Sequence, residues 1–210
     1  MQITNRDALI VVDVQNDFCP GGPLAVPEGD AVIPVIHRIA PRFEHIVLTQ
    51  DWHPQGHGSF ASSWPGKKPL DIVEYAGGEQ LLWPDHCVQG TRGAELHPAL
   101  GLPQAELIVR KGFRREIDSY SAFFENDHTT PTGLAGYCQE RGLERMFFAG
   151  LAYDFCVGFS ALDARRCGFE AVVIRDACRA IDVEESVKKM DAELERAGVW
   201  VVQSADLDRP

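Results

Sequence analysis

Six short apolar runs rich in Val, Ile and Leu punctuate the chain: "ALIVVDV" (8–14), "HIVLTQ" (45–50), "AELIVRK" (105–111), "RMFFAGL" (145–151), "EAVVIRDA" (170–177) and "VWVVQS" (199–204). Most are continuous rather than alternating, as strands covered on both faces should be. Helical patterns lie between them, over 30–40, 132–141, 155–167 and 183–197. The last three stop before Gly142, Gly168 and Gly198, each suited to the left-handed position that follows a helix. The final helix opens "DVEE", which predicts Asp182 as N-cap with Glu185 three residues on. Pro34 weakens the first helix or moves its start. This alternation predicts an α/β fold, a mostly parallel sheet of about six strands with helices on both faces. Residues 54–104 break the pattern. Loaded with Pro, Gly, Trp and His, they read as a loop-rich insertion between strands two and three, and an insertion that long in a compact domain usually serves function. With no repeat, low-complexity tract or linker, residues 1–210 are expected to form a single domain.

Composition narrows the function classes. The 210 residues are 45 % hydrophobic, enough for one well-buried core. Twenty Lys+Arg against thirty-one Asp+Glu give a formal charge of −11 with no basic run, which argues against nucleic acid and anionic membranes as partners. The start, "MQITNRDALIVV", lacks the basic head and long apolar stretch of a secretion signal, and no segment reaches membrane-spanning length. A cytoplasmic location is therefore expected, and with it six reduced thiols rather than three disulfides.

In open α/β sheets, ligands bind beyond the carboxyl ends of the strands. Strand one ends in Asp13, Gln15, Asn16 and Asp17, strand two in Asp51 and His53, strand three in Lys111, and strand four runs towards Cys156. Asp154 reads as the N-cap of the following helix, putting Cys156 in its first turn, where free N–H groups and the macrodipole favour a thiolate and can hold an oxyanion. Lys111 would favour the same thiolate. Asp13 follows five apolar residues and needs partners at that depth, which a lysine and a thiol proton would supply. Asp17 reads equally well as a turn former. Cys19, Cys87, Cys138, Cys167 and Cys178 read as structural.

Asp51 and His53, one residue apart in an extended segment, point to the same side. The insertion offers a third donor, His86, in "LLWPDHCVQGT". Asp, His and His with open positions match a divalent-metal site, although such residues at strand ends also form plain hydrogen-bond networks. His57 is an optional further ligand, and Asp85 is either a support for the site or a turn former. His37, His45, His97 and His128 read as structural or solvent-exposed.

Taken together, "VVDVQNDFCPGG" (11–22), "TQDWHPQGHGSFAS" (49–62), "WPDHCVQGTRGAELHP" (83–98), "VRKGF" (109–113), "DSYSAFF" (118–124) and "GLAYDFCV" (150–157) resemble the nicotinamidase/pyrazinamidase branch of the isochorismatase-like cysteine hydrolases. The resemblance spans roughly residues 8–180. It implies a catalytic triad of Asp13, Lys111 and Cys156, and a metal held by Asp51, His53 and His86, zinc first with iron or manganese as alternatives. It also implies a pyridine pocket lined by Phe18, Leu24, Trp83 and Tyr120, and an oxyanion hole from the backbone N–H groups of Ala152 and Cys156 beside a non-proline cis peptide. Tyr153 stands where a threonine is frequent in the family, and is expected at the pocket rim. The implied activity is deamidation of nicotinamide, and of pyrazinamide, through a cysteine thioester in NAD salvage, with the metal orienting substrate through the ring nitrogen. Three rivals stand beside it: a related cysteine hydrolase with another substrate, a metal-hydroxide hydrolase in which Cys156 is structural, and a non-catalytic binding protein. A homo-oligomer is left open.

Overall fold

In a computed structural model, residues 1–75 and 78–208 are described. Residues 76–77 of the expected insertion and 209–210 at the end of the expected domain lie outside the described residues. All six apolar runs are strands of one sheet: β1 (Asp7–Val12), β2 (His45–Asp51), β5 (Leu107–Lys111), β6 (Arg145–Leu151), β7 (Glu170–Arg179) and β8 (Trp200–Val202). Their order is β5-β2-β1-β6-β7-β8, and every neighbouring pair is parallel. The insertion is not wholly irregular, for β3 (Ile72–Tyr75) and β4 (Gly78–Leu81) form an antiparallel hairpin. Four-residue strands with one face near solvent leave too short a pattern to read.

The continuous apolar runs follow from burial on both sides. Leu9 and Val11 of β1 face one core with Ile46, Phe147, Val172 and the helix α1 (Val32–Ile39). Ala8, Ile10 and Val12 face a second core, shared with α2 (Leu134–Glu140), α3 (Gly158–Arg166) and α4 (Ser186–Arg196). Pro34 falls in the first turn of α1, where a backbone N–H has no intrahelical partner to lose. The expected opening of α4 is corrected. It begins at Ser186, after Glu184 and Glu185 in left-handed conformation, so Asp182 and Glu185 form no capping box. Among the described residues, no helix is long and apolar enough to cross a membrane.

Chain order reverses between β1 and β6. The chain builds outward from β1 through β2 to β5, then crosses back to β6. The crevice beyond these strand ends is where a ligand can enter such a sheet, and the strands that carry Asp13, Asp51, Lys111 and Cys156 are contiguous around it.

Candidate active site

Asp13 leaves β1 with φ 47, a left-handed conformation that aspartate tolerates better than the β-branched residues before it. Thr49 of β2 locks it there: the Asp13 N–H donates to Thr49 Oγ1 at 3.1 Å, and that hydroxyl donates back to Asp13 Oδ1 at 2.5 Å. The other oxygen, Oδ2, lies 2.9 Å from Lys111 Nζ but has no aligned hydrogen bond. Lys111 is fully buried, its Nζ donating to Asp51 Oδ1 at 2.5 Å and the Ser119 carbonyl at 2.9 Å, with Cys156 Sγ at 3.4 Å. Donor atoms of Asp13, Asp51 and Cys156 all lie within 4.8 Å of one another. One ammonium thus serves two carboxylates and a thiol.

Burial sets the protonation states, and the charges modify them. It pushes the Cys156 thiol well above its ordinary value; Lys111 opposes this, and Asp13 and Asp51 add to it. Burial likewise raises Asp13, with Lys111 opposing. Against its own burial, Lys111 is held firmly cationic by Asp13 and Asp51. Cys156 therefore rests as a thiol beside a carboxylate and an ammonium, not as the free thiolate expected from a helix start.

That helix start also differs. Cys156 lies in a π-helical turn, Tyr153–Val157, ahead of α3, with Ala152 in the cap position and the Leu151–Ala152 peptide cis. The Ala152 carbonyl accepts from the N–H groups of Phe155 and Val157. Asp154 is not the cap. Its carboxylate turns away to accept from the N–H groups of Ile181 and Asp182 and from the Ser186 hydroxyl, fastening the loop that leads into α4. Gly150 permits the close packing before the turn, since a Cβ there would sit 2.1 Å from the Val12 carbonyl.

Asp51, His53 and His86 converge as the spacing suggested. Asp51 Oδ2 lies 3.5 Å from His53 Nε2 and 3.7 Å from His86 Nε2, and all three residues are buried. Each imidazole is oriented through its other nitrogen, His53 Nδ1 donating to the Gly112 carbonyl and His86 Nδ1 to that of Pro84, both at 2.8 Å. This leaves both Nε2 atoms facing the carboxylate, and His53 Nε2 is buried without a hydrogen bond. Two imidazoles fixed through Nδ1 and one carboxylate, with a buried unpaired nitrogen among them, fit a divalent metal of the zinc type. Gly112 makes this packing possible: at φ 61, its Cβ would stand 2.5 Å from the His53 ring.

His57 stacks on His53 with centroids 4.3 Å apart, but both its ring nitrogens have protein partners: Nδ1 meets the Ser59 hydroxyl, and Nε2 donates to the carbonyls of Arg114 and Ile117. Asp85 is exposed and accepts from Ser62, as a turn former would. His45 is buried against Glu106, while His37 and His128 are exposed. All six cysteines are free thiols.

Phe18, Leu24, Trp83 and Tyr120 line one pocket with Asp51, His86, Ala152 and Cys156. Tyr153 does not join them, and its expected place at the rim is corrected. It is fully buried on the far side of the turn, its hydroxyl donating to Asp191 of α4 and its ring beneath the Arg175 guanidinium, 4.2 Å away. The π-helical turn presents Phe155 to the pocket instead, edge-on to Trp83 at 5.0 Å and to Tyr120 at 5.6 Å. Asp118 and Ile181 also line it. Sequence reasoning missed these three and Thr49. "DSYSAFF" marked the segment of Asp118, but nothing in sequence distinguished Phe155 from Tyr153 as the ring facing inward.

Residues 7–206 match the family described as Isochorismatase domain. A nicotinamidase of Acinetobacter baylyi is 53 % identical over 207 residues, covering 99 % of this chain and 97 % of that protein. The solved structure of a nicotinamidase/pyrazinamidase from Acinetobacter baumanii superposes with a TM-score of 0.96 at 53 % identity, over 97 % of this chain and 99 % of the other. A Pyrococcus horikoshii pyrazinamidase, solved in complex with zinc, aligns with a TM-score of 0.76 at 36 % identity, over 94 % and 99 % of the two chains.

Proposed function

This chain belongs to the isochorismatase domain family, and from that premise we propose that it is a nicotinamidase, hydrolysing nicotinamide to nicotinate and ammonia and acting likewise on pyrazinamide. One observation carries the reading: Cys156, Lys111 and Asp13 meet in a buried cluster, and Cys156 opens into an aromatic pocket whose wall includes the candidate metal ligands Asp51 and His86. Similarity at 53 % identity to a nicotinamidase over nearly the whole chain supports the substrate class.

Asp13 takes the Cys156 proton through Oδ2, the oxygen ion-paired with Lys111 but without an aligned hydrogen bond, and the sulfur attacks the carboxamide carbon. Lys111 keeps the cluster's charge balanced, and the N–H groups of Ala152 and Cys156 donate to the tetrahedral oxyanion. Asp13 returns the proton to the departing nitrogen, which leaves as ammonia. Water deprotonated by Asp13 then cleaves the thioester, releasing nicotinate and restoring the thiol. Phe18, Leu24, Trp83, Tyr120 and Phe155 hold the ring and exclude bulk water. Asp51, His53 and His86 would hold the metal, which we assign as zinc, while His57 supports His53 by stacking. Bound there, the metal would supply a Lewis-acid site that orients the pyridine nitrogen. The chain acts as one domain in the cytoplasm, within NAD salvage.

The test is release of nicotinate and ammonia from nicotinamide by purified protein, beside Cys156→Ala. Turnover is expected in the wild type and absent in a variant that still binds metal. Substantial turnover by Cys156→Ala would transfer the nucleophile's role to a metal-bound hydroxide. A folded, metal-loaded wild type that releases nothing would overturn the substrate.

A further inference from the structure

The mechanism gives no role to two polar side chains that follow the base, buried Gln15 and half-buried Asp17, although between them they reach both segments that carry the candidate metal ligands. Gln15 is fully buried and its carboxamide is saturated. Oε1 accepts the Asp51 N–H at 2.8 Å, while Nε2 donates to the Asp51 carbonyl at 2.8 Å and to that of Ala94 at 2.9 Å. The amide thus pairs with Asp51 at two points, as a neighbouring strand would, where β2 reaches the site.

Asp17 does the corresponding work for the two histidines. Its Oδ2 accepts the Cys87 N–H at 2.7 Å, holding the peptide that follows His86. The Cys87 carbonyl accepts the His53 N–H at 3.0 Å, and the His53 carbonyl accepts the Gln89 N–H at 2.9 Å. Cys87 itself is buried with φ 47, a left-handed conformation costly for cysteine unless its surroundings impose it. The Asp17 carboxylate packs so closely on Gly93 that a Cβ there would lie 2.1 Å from Oδ2. The geometry leaves it little freedom.

We propose that Gln15 and Asp17 are positioning residues of the metal site, one clamping Asp51 and the other, through the Cys87 peptide, His86 and His53. The inference rests on reading Asp51, His53 and His86 as a metal site. Its physical basis is preorganisation. The donors come from two segments far apart in sequence, and holding two imidazoles and a carboxylate together is unfavourable until a cation joins them. Struts that fix their backbones remove much of that ordering from the binding step. Because the same loop begins with Asp13, base and metal ligands share one rigid support.

The test is Co2+ titration of chelator-treated full-length protein, followed by visible absorption, for wild type, Gln15→Met, Asp17→Ala, Asp17→Asn and Asn16→Ala. Gln15→Met and Asp17→Ala should bind Co2+ roughly ten- to a hundredfold more weakly, with altered spectra. Asp17→Asn keeps an acceptor and should recover part of the loss. Asn16→Ala removes a bond from the same loop to the Arg92 carbonyl, touches no ligand segment, and should match wild type. Folded variants with wild-type affinity would overturn the proposal, as would an equal loss in Asn16→Ala, which would mean that loop stability alone matters. If Gln15→Met does not fold, the order of Asp17→Ala and Asp17→Asn decides. A wild type that binds neither Co2+ nor Zn2+ would bring down the metal reading itself, a different result from unchanged variants.

Discussion

Lys111 Nζ lies 2.5 Å from Asp51 Oδ1, so the ammonium beside the thiol also neutralises a candidate metal ligand. Asp51 divides its carboxylate accordingly, with Oδ1 on the lysine and Oδ2 facing the two imidazoles. The proposed triad and the candidate metal site therefore form one electrostatic unit, in which the lysine's two ion pairs compensate its complete burial.

Removing that cation should be costly. Lys111→Met leaves two buried carboxylates uncompensated and is expected to lose about 3–5 kcal/mol of stability along with turnover. Adding Asp13→Asn removes one of those charges, so the double variant should be more stable than Lys111→Met alone, with a coupling of about 1–3 kcal/mol in urea unfolding. Strictly additive effects would contradict the shared-cation picture.

Metal removal separates orientation from nucleophilic chemistry. Benzamide has the same shape as nicotinamide but no ring nitrogen, so metal-loaded protein should turn it over far more slowly. Chelation should erase most of that preference, chiefly by raising KM for nicotinamide. Equal rates on the two amides with metal in place would refute ring-nitrogen anchoring.

Tyr153 and Phe155 are neighbours in one turn with opposite consequences. Tyr153→Phe loses the hydroxyl bond to Asp191 and should cost about 1 kcal/mol of stability with KM unchanged. Phe155→Ala removes the ring packed edge-on against Trp83 and Tyr120 and should raise KM about tenfold. Steady-state kinetics with thermal unfolding distinguishes the pair.

Away from the site, Asp127 is held down to about 2 by the Thr130 hydroxyl and the N–H groups of Thr129 and Thr130. A depressed folded value stabilises above the unfolded pKa, near 4, and that contribution fades as pH falls towards about 2. The stability gap between wild type and Asp127→Ala should therefore be wider at pH 6 than at pH 3. Urea midpoints at the two pH values measure it, and a constant gap would rule out the carboxylate as its source.

The strands and the identity of the site's donors were legible because they depend on local pattern. A strand buried on both faces must be apolar throughout, and a polar residue at its carboxyl end stands out, as Asp13, Asp51 and Lys111 do. The motifs around Cys156 and His86 carried the rest of the resemblance. What the sequence left undecided was direction. Whether Tyr153 or Phe155 faces the pocket depends on a π-helical turn, and whether Asp154 caps a helix or fastens the α4 loop depends on a segment nearly thirty residues away. The protonation of Cys156 turns first on its burial and then on the charges buried with it, and the sharing of Lys111 between Asp13 and Asp51 exists only because β5 and β1 flank β2. Composition and period specify which side chains must be buried or can react; only tertiary packing determines their nearest charges, and at these distances in a dry interior those neighbours govern the chemistry.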